Sequence, residues 1–397
     1  MTRHTAPQVL ITFLGRVPKD QQGYRVTRYD FGDGQPQAPA AFFGWPLRQH
    51  LGAERLVILG TAGSMWEHLF EGDHDFGDAD EEARLALVEA VELKTVTAAH
   101  LGPLAPLLAQ RLGCEVRLEI IPYAQDPAEQ VALLRIMAAH VEVGDRVHLD
   151  VTHGFRHLPM LGVLSALHLR ITRQAHIEGI WYGAYDPDTG AAPVHNLVGL
   201  LNIADWVQAL HTYDKDGDYG AFADLLDLGR GQSGRLLREA AFFERTSNPV
   251  KAREKLTTWG GLPDRYPNGD STAELFRDEL EQRLAWVRGG NRAAWEGALG
   301  WQHLKRGDYV RAVIYGMEAV ISGEVTRQKD DLNNFDDRDY HRKALMTQDD
   351  FKTLSGLRNA LAHGVRPYDQ RLAHMIGNAK ELQASLRGLF RKLGVPR

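Results

Sequence analysis

The segment Val147-His-Leu-Asp-Val-Thr-His-Gly-Phe-Arg156 joins a short apolar run to a longer one, Leu158–Leu169, whose apolar side chains recur at helical spacing. Further strand-like runs occur earlier and later in the first half of the chain, and amphipathic stretches lie between them. The strand-like runs are Val9–Leu14, Leu56–Gly60, Cys114–Ile121 and Ile177–Tyr182, with an additional strand expected at Tyr24–Phe31; the amphipathic stretches are Glu81–Lys94 and Pro127–His140. Strands that alternate with helices of this length predict an α/β fold with a Rossmann-like, doubly wound parallel sheet.

After about residue 200 the strand pattern fades and helical spacing dominates. The predicted helices are Ile203–His211, Tyr219–Leu228, Gly234–Thr246, Ala273–Val287, Tyr309–Gln328, Phe351–Ala362 and Asp369–Lys392. Two polar, turn-rich breaks, Tyr266–Ser271 and Lys329–Arg342, are predicted to be loops. We therefore expect two domains, an α/β domain at residues 1–204 and an all-α domain at residues 205–397, in which residues 205–300 carry no motif.

Composition narrows the classes of protein that this chain could belong to. Its residues are 44% hydrophobic and 25% charged, a composition typical of a globular protein. At 397 residues the chain is too long for a single small core. One cysteine, Cys114, excludes an intramolecular disulfide and a thiolate metal cluster. The net charge of −6 argues against a protein that coats nucleic acid, although a local basic groove remains compatible with it. The first apolar run is too short for a membrane span or signal segment, so we expect a cytoplasmic protein.

Three strand ends in the α/β half carry small residues and hydrogen-bond donors. Because parallel strands end at one edge of a doubly wound sheet, these segments are expected to converge. Glycines let a ligand approach the backbone, and amides at a helix start favour phosphate. The candidate ligand-binding residues are Gly15 and Arg16 after the first strand, Thr61, Ala62, Gly63, Ser64 and Met65 after the second, and Thr152, His153, Gly154 and Arg156 after the fourth.

Other interpretations of these patterns are compatible with the same residues. Taken singly, each segment also fits a plain strand end with a helix cap. The spacing of His153 and His157, and of His74 between Asp73 and Asp75, offers no complete ligand set, so no metal site is predicted. Gly229-Arg-Gly231-Gln-Ser-Gly234 matches a dinucleotide fingerprint in letters, but it follows a helix-like segment and is interpreted as a helix–helix linker.

The end of a predicted helix, Arg358-Asn-Ala-Leu-Ala-His363-Gly364, suits metal-independent RNA cleavage. Cleavage by the neighbouring 2′-hydroxyl requires one proton to leave that hydroxyl and another to reach the 5′-oxygen, and histidine is tuned for such transfers near neutral pH. Arginine stays cationic and holds a phosphate through paired donors. The same residues also fit a helix C-terminus, where a cation favours the macrodipole and Gly364 ends the helix.

Two motifs carry a family resemblance over nearly the whole chain. Arg358-Asn359 followed by His363 resembles the Arg–polar–x3–His motif of HEPN ribonucleases, and residues 149–160 resemble the signature of CRISPR-associated Rossmann-fold (CARF) domains. In this order the two halves are similar to the CARF–HEPN ancillary ribonucleases of type III CRISPR systems. The resemblance implies that Arg358 and His363 are catalytic, with Asn359 supporting them.

The same resemblance implies the activator and the assembly. A cyclic oligoadenylate, with cyclic tetra-adenylate as the first expectation, would lie across paired sensor domains of a homodimer. Single-stranded RNA would be cut without metal or cofactor at a composite site between the two helical domains.

Two other function classes remain in view. A sensor without catalysis, whose helical half binds a partner or DNA, would need a helix-turn-helix with a basic surface, and none is recognised. A nicotinamide-dependent dehydrogenase would need the glycine fingerprint after the first strand, which is missing.

Overall fold

A computed structural model describes residues 6–21, 23–34, 38–227, 231–267, 269–364 and 369–397. The chain divides into two compact units, Met1–Leu201 and Asn202–Arg397. The observed division falls inside the helix Gly199–Asp216, as does the boundary that we placed between residues 204 and 205. No helix of the described residues combines the length and apolarity that crossing a membrane requires.

Among its described residues, the first unit contains a sheet of seven strands. In chain order the strands of the unit are β1 (Gln8–Leu14), β2 (Lys19–Asp20), β3 (Gly23–Tyr24), β4 (Arg28–Asp30), β5 (Arg55–Gly60), β6 (Glu115–Ile120), β7 (Arg146–Asp150), β8 (His176–Gly183) and β9 (Ala191–Asn196). The sheet order is β4-β9-β8-β7-β1-β5-β6, and β2 pairs with β3 in a separate hairpin. Strands β8, β7, β1, β5 and β6 run parallel, whereas β9 is antiparallel to β8. The predicted parallel, doubly wound sheet is confirmed.

Helices cover both faces of this sheet. They are α1 (Gly44–Leu51), α2 (His68–Glu71), α3 (Glu81–Glu92), α4 (Ala98–Leu101), α5 (Ala105–Leu112), α6 (Pro127–Ala139), α7 (Leu158–Thr172) and the start of α8 (Gly199–Asp216). Along β1, Leu10 and Leu14 pack into one hydrophobic cluster and Val9, Ile11 and Phe13 into another. This period of two explains why both faces are apolar and why the strands appear as continuous hydrophobic runs.

The strand order places a crevice at one edge of the sheet. From β1 the chain proceeds to β5 and β6 on one side, and then returns to β7 and β8 on the other side. The carboxyl ends of β1 and β7 therefore flank the point where the strand order reverses. Open α/β sheets bind ligands at this point, outside the carboxyl ends of the strands.

The second unit is helical, as predicted. Its helices after α8 are α9 (Ala223–Asp227), α10 (Gln232–Arg245), α11 (Pro249–Gly260), α12 (Ser271–Arg283), α13 (Arg292–Arg306), α14 (Tyr309–Gln328), α15 (Phe335–Leu345), α16 (Asp349–His363), α17 (Gln370–Met375) and α18 (Ala379–Lys392), with 3-10 turns at Tyr219–Phe222 and Ala285–Arg288. Helices α13 and α14 pack closely, since a Cβ on Gly300 would lie 3.0 Å from the backbone nitrogen of Gly316.

Several predictions about individual elements were wrong. Residues 329–342 were predicted to be a loop, but α15 occupies most of them. The helix forms because Asn334 caps its first turn and because the side chains of His341 and Leu345 are buried. The predicted helix Asp369–Lys392 breaks around Gly377, and Asn378 caps α18 through the Glu381 amide. Helices α11 and α13 and strand β9 were not predicted, and Tyr24–Phe31 forms two short strands rather than one. The predicted helix Tyr219–Leu228 ends, and the predicted helix–helix linker begins at Gly229, outside the described residues.

Candidate functional site

A cavity of about 270 Å³ lies at the carboxyl edge of β1, β5 and β7. Its walls include strand-end glycines, an arginine and one exposed aromatic ring. They are formed by Leu14, Gly15, Arg16, Thr61, Gly63, Ser64, Ile121, Gly154, Phe155 and Leu158. The structure thus brings together predicted residues from all three strand ends, and the parallel pairing of β1 with β5 and β7 is the reason.

Two glycines allow the backbones after β1 and β7 to approach each other. A Cβ on Gly15 would lie 2.6 Å from the backbone nitrogen of Gly154, a distance that real Cβ atoms do not tolerate. Gly154 itself has φ +101°, and its added Cβ would lie 2.7 Å from Cδ1 of Leu158. Only glycine meets both requirements, so these residues shape the cavity through their backbones.

The Thr61–Ser64 turn is held against β1 by its own side chains. The Ser64 amide donates to the Thr61 carbonyl at 3.0 Å, and Ser64 Oγ donates to the Leu14 carbonyl at 2.6 Å. Both hydroxyl groups are buried, 3.3 Å apart. We predicted them as ligand donors, whereas here they stabilise the turn, and the amides of Ala62 and Gly63 have no acceptor in the described part of the chain.

Met65 and Thr152 also make hydrogen bonds that hold the strand ends together. The Met65 amide donates to the Gly15 carbonyl at 3.0 Å, and its side chain is fully buried. Thr152 Oγ1 accepts a hydrogen bond from the Gly183 amide at 2.9 Å, which ties the end of β7 to β8. Neither side chain lines the cavity.

A buried carboxylate organises the same edge. Asp150, at the end of β7, is fully buried and accepts hydrogen bonds from Thr12 Oγ1 at 2.6 Å and from the Thr152 amide at 2.8 Å. Burial raises the pKa of Asp150 to about 6, and the two hydrogen bonds oppose that rise. Asp150 was not predicted as a site residue, although an aspartate at the end of an apolar strand indicates a buried polar group at the sheet edge.

The two histidines of the β7–α7 segment are engaged in the fold. His153 Nε2 accepts from the Phe43 amide at 3.1 Å, and burial lowers the pKa of His153 to about 4 with a smaller contribution from Arg25. His157 Nε2 lies 2.9 Å from the Tyr123 carbonyl oxygen. No group of three or more His, Cys, Asp or Glu among the described residues could hold a metal ion.

Arg16 and Phe155 line the cavity, and Lys94 and Tyr123 lie against Gly63. The predicted residue Arg156 follows Phe155 in sequence but is not among the lining residues. Phe155 is 47% exposed, and its ring lies 5.6 Å from that of Tyr123. Arg16 and Arg156 are exposed. Lys94, in left-handed conformation, has its Cγ 3.6 Å from where a Gly63 Cβ would be. Lys94 and Tyr123 were missed because they follow α3 and β6, and only the tertiary packing brings them to Gly63.

The second predicted site lies at the end of α16. Arg358, Asn359 and His363 are all exposed, and Arg358 Nη1 donates to Asn359 Oδ1 at 3.0 Å. Gly364 ends the helix with φ +63°. Asn359 and His363 are four residues apart and share a helix face, whereas Arg358 and His363 are five apart, about 140° around an ideal helix. The hydrogen bond therefore turns the Arg358 guanidinium towards the face that carries His363.

Comparisons with known proteins give one match within the first unit and one that covers a larger part of the chain. Residues 9–186 match the family model described as "CRISPR system endoribonuclease Csx1, CARF domain". The chain is also similar to CRISPR-associated protein MJ1674 of Methanocaldococcus jannaschii, with 25% identity over 281 residues, which cover 65% of this chain and 44% of that protein. The match thus spans less than half the length of this relative. Residues 9–186 of this chain are thus similar to a CARF domain, and they include the strands whose carboxyl ends form the sheet-edge cavity.

Proposed function

We propose that this protein is a cyclic-oligoadenylate-activated, single-stranded endoribonuclease of type III CRISPR defence that acts in the cytoplasm. The observation that carries the proposal is the exposed group of Arg358, Asn359 and His363 at the end of α16, on a chain whose other unit matches a CARF domain. The name of the matched family, an endoribonuclease, supports the same activity.

The sheet-edge cavity suits a ring of adenylates. Exposed Arg16, Lys94 and Arg156 supply positive charge for phosphates. The amides of Ala62 and Gly63, which have no acceptor among the described residues, supply neutral donors. The half-exposed Phe155 ring offers an adenine a surface for stacking. Cyclic tetra-adenylate remains the first candidate.

The size of the cavity favours a ligand shared between two copies. At about 270 Å³ it is below the roughly 300–1,000 Å³ of sites that enclose one drug-sized ligand. One face of α7 also exposes Met160, Leu164 and Ile171 to 71%, 54% and 74%, directly after the cavity loop. Apolar residues at positions i, i+4 and i+11 form one stripe, which a second copy of the chain would cover. We therefore propose a homodimer with one ring across its two cavities.

The chemistry needs no group beyond those at the end of α16. The substrate 2′-hydroxyl loses its proton and attacks phosphorus, so that the 2′-O–P bond forms and the P–O5′ bond breaks. His363 serves as proton acceptor or donor, and Arg358 neutralises the charge that develops on the phosphoryl oxygens. Because one copy contributes a single His363 and two protons move, a site formed by two copies would supply both an acceptor and a donor.

The proposal is tested by an RNA cleavage assay against a panel of cyclic oligoadenylates. We expect cleavage only after an activator is added, and His363→Ala or Arg358→Ala should abolish it while ligand binding, measured by calorimetry, is retained. Cleavage by His363→Ala at the unmodified rate would refute the assignment to α16. Tight ligand binding without any cleavage would instead favour a sensor that regulates a partner.

A further inference from the structure

Three arginines surround a cavity in the second unit, far in sequence from Arg358 and His363. The cavity, about 360 Å³, lies between α11 and the 3-10 turn Ala285–Arg288. Its polar wall carries Arg253, Arg265 and Arg288, and its apolar wall includes Leu256, Trp259, Leu284 and Val287. Apolar side chains beside several guanidinium groups are suited to a nucleobase with its phosphate.

The charges around this cavity do not cancel. Glu281 accepts from Arg265 at 2.9 Å and from Arg288 at 3.3 Å, so that one carboxylate serves two guanidinium groups. Arg253 donates through Nε to the Val287 carbonyl and stacks on the Trp295 ring, and no acidic partner contacts it among the described residues. Three cations against one anion leave a net positive cavity with guanidinium N–H groups to spare.

A neighbouring cavity extends the same surface. It has a volume of about 560 Å³ and shares Arg265 with the first. It is also lined by Tyr266, Arg277, Asp270 and Glu274, and Glu274 forms an ion pair with Arg277. The Arg277 guanidinium lies 4.8 Å from the centre of the Tyr266 ring. Arg265 thus lies between two adjacent cavities. The carboxylates of the second balance its two arginines, so the excess positive charge for a phosphate lies in the first cavity, and the second offers the Tyr266 ring and polar groups to a neighbouring nucleotide.

We infer that this arginine surface binds the RNA strand outside the cleavage site, with a nucleotide in the cavity of Arg253 and Arg288. The inference rests on the proposed ribonuclease function. In the packing order, α11 contacts α13, α13 packs along α14, and α14 contacts α16. Three helix-to-helix steps of about 8–10 Å separate the axes of α11 and α16, and displacement along the helices adds to this separation, so RNA must be several nucleotides long to reach both sites.

The test measures binding of a fluorescent, non-cleavable 2′-O-methyl RNA of about 20 nucleotides, longer than a single-strand site of roughly 4–16 nucleotides. Arg288→Ala and Arg253→Ala should each raise the Kd by about tenfold. Each should also lower the slope of log Kd against log salt by about 0.7. Arg327→Ala is the matched control, because Arg327 is 70% exposed and paired with Glu324, as Arg288 is 68% exposed and paired with Glu281.

The readouts separate this inference from the proposed function. With activator and cleavable RNA, Arg288→Ala should raise KM for long RNA and leave kcat unchanged. An Arg288→Ala protein that binds RNA like Arg327→Ala, while the unmodified protein cuts RNA, overturns this inference alone. A loss of affinity for cyclic tetra-adenylate rather than for RNA overturns it as well. An unmodified protein that neither binds nor cuts RNA overturns both proposals.

Discussion

Replacing Gly15 by alanine would drive a methyl group into the backbone that follows β7. The new Cβ would lie 2.6 Å from the nitrogen and 3.2 Å from the Cα of Gly154, and 3.3 Å from Cβ of His153. Backbone cannot swing aside as a flexible side chain does, and His153 is held by the Phe43 amide. The two strand ends must therefore separate, which opens the cavity that they line.

The cost follows from the size of this overlap. Forcing an extra methyl group into a packed site costs about 1–3 kcal/mol, and contact with backbone favours the upper part of that range. For a domain of about 150–250 residues each kcal/mol shifts the melting temperature by roughly 2–4 °C, so we expect a decrease of about 5–10 °C. Affinity for cyclic tetra-adenylate should fall by at least about tenfold, since the ligand must also restore the separated strand ends.

Differential scanning fluorimetry and calorimetric titration measure these two effects. Gly102→Ala is the control, because Gly102 has helical φ −53° and ψ −50° and its added Cβ would meet nothing closer than 3.4 Å. It should be neutral or slightly stabilising. If Gly15→Ala matched Gly102→Ala in both melting temperature and Kd, the close approach of β1 and β7 would not shape the binding site.

Three further predictions concern charge, protonation and metal. If Arg156 contacts a ligand phosphate as proposed, Arg156→Ala should shift the activation curve to about tenfold higher ligand concentration, and saturating ligand should restore the rate. An overlapping curve would remove Arg156 from the site. The raised pKa of Asp150 means that folding favours its protonated form, so its contribution to stability is fully present below the unfolded pKa near 3.8 and is lost as pH rises through about 6. Relative to Asp150→Asn, the free energy of unfolding of the unmodified protein should therefore fall by roughly 2–3 kcal/mol between about pH 4 and pH 7 in denaturant titrations, and parallel profiles would contradict this. The lowered pKa of His153 acts in the opposite direction, which is why the difference between the two proteins is the quantity to measure. Cleavage should persist in excess chelator and leave a 2′,3′-cyclic phosphate, and RNA without the 2′-hydroxyl at the cut position should resist; loss of activity in chelator would reveal a metal site.

Periodicity alone determined the main secondary structure and its division into an α/β half and a helical half. Runs such as Val9–Leu14 and Leu56–Gly60 are apolar on both faces, a pattern typical of buried parallel strands, and their predicted bounds differ from the observed ones by a residue or so. The strand-end glycines were also visible in sequence, because small residues at those positions imply close backbone approach. Short motifs near residues 150 and 360 suggested the two sites.

Contacts between distant segments determined the elements with weak local patterns and the roles of individual side chains. Strand β9 and helix α15 have weak local patterns in the sequence. Strand β9 forms through its pairing with β8 and β4, and helix α15 forms around buried His341 and Leu345. The roles of individual side chains were decided in the same way. Ser64 and Thr152 were expected to face a ligand, yet their hydroxyl groups bond to the Leu14 carbonyl and the Gly183 amide. Tyr123 lies against Gly63 because β6 lies beside β5, and Lys94 does so because the segment after α3 packs against the same turn. A one-dimensional pattern does not contain either adjacency. The sequence determines which residues face inward, but the hydrogen-bond partner of each polar group depends on which strands and helices lie side by side.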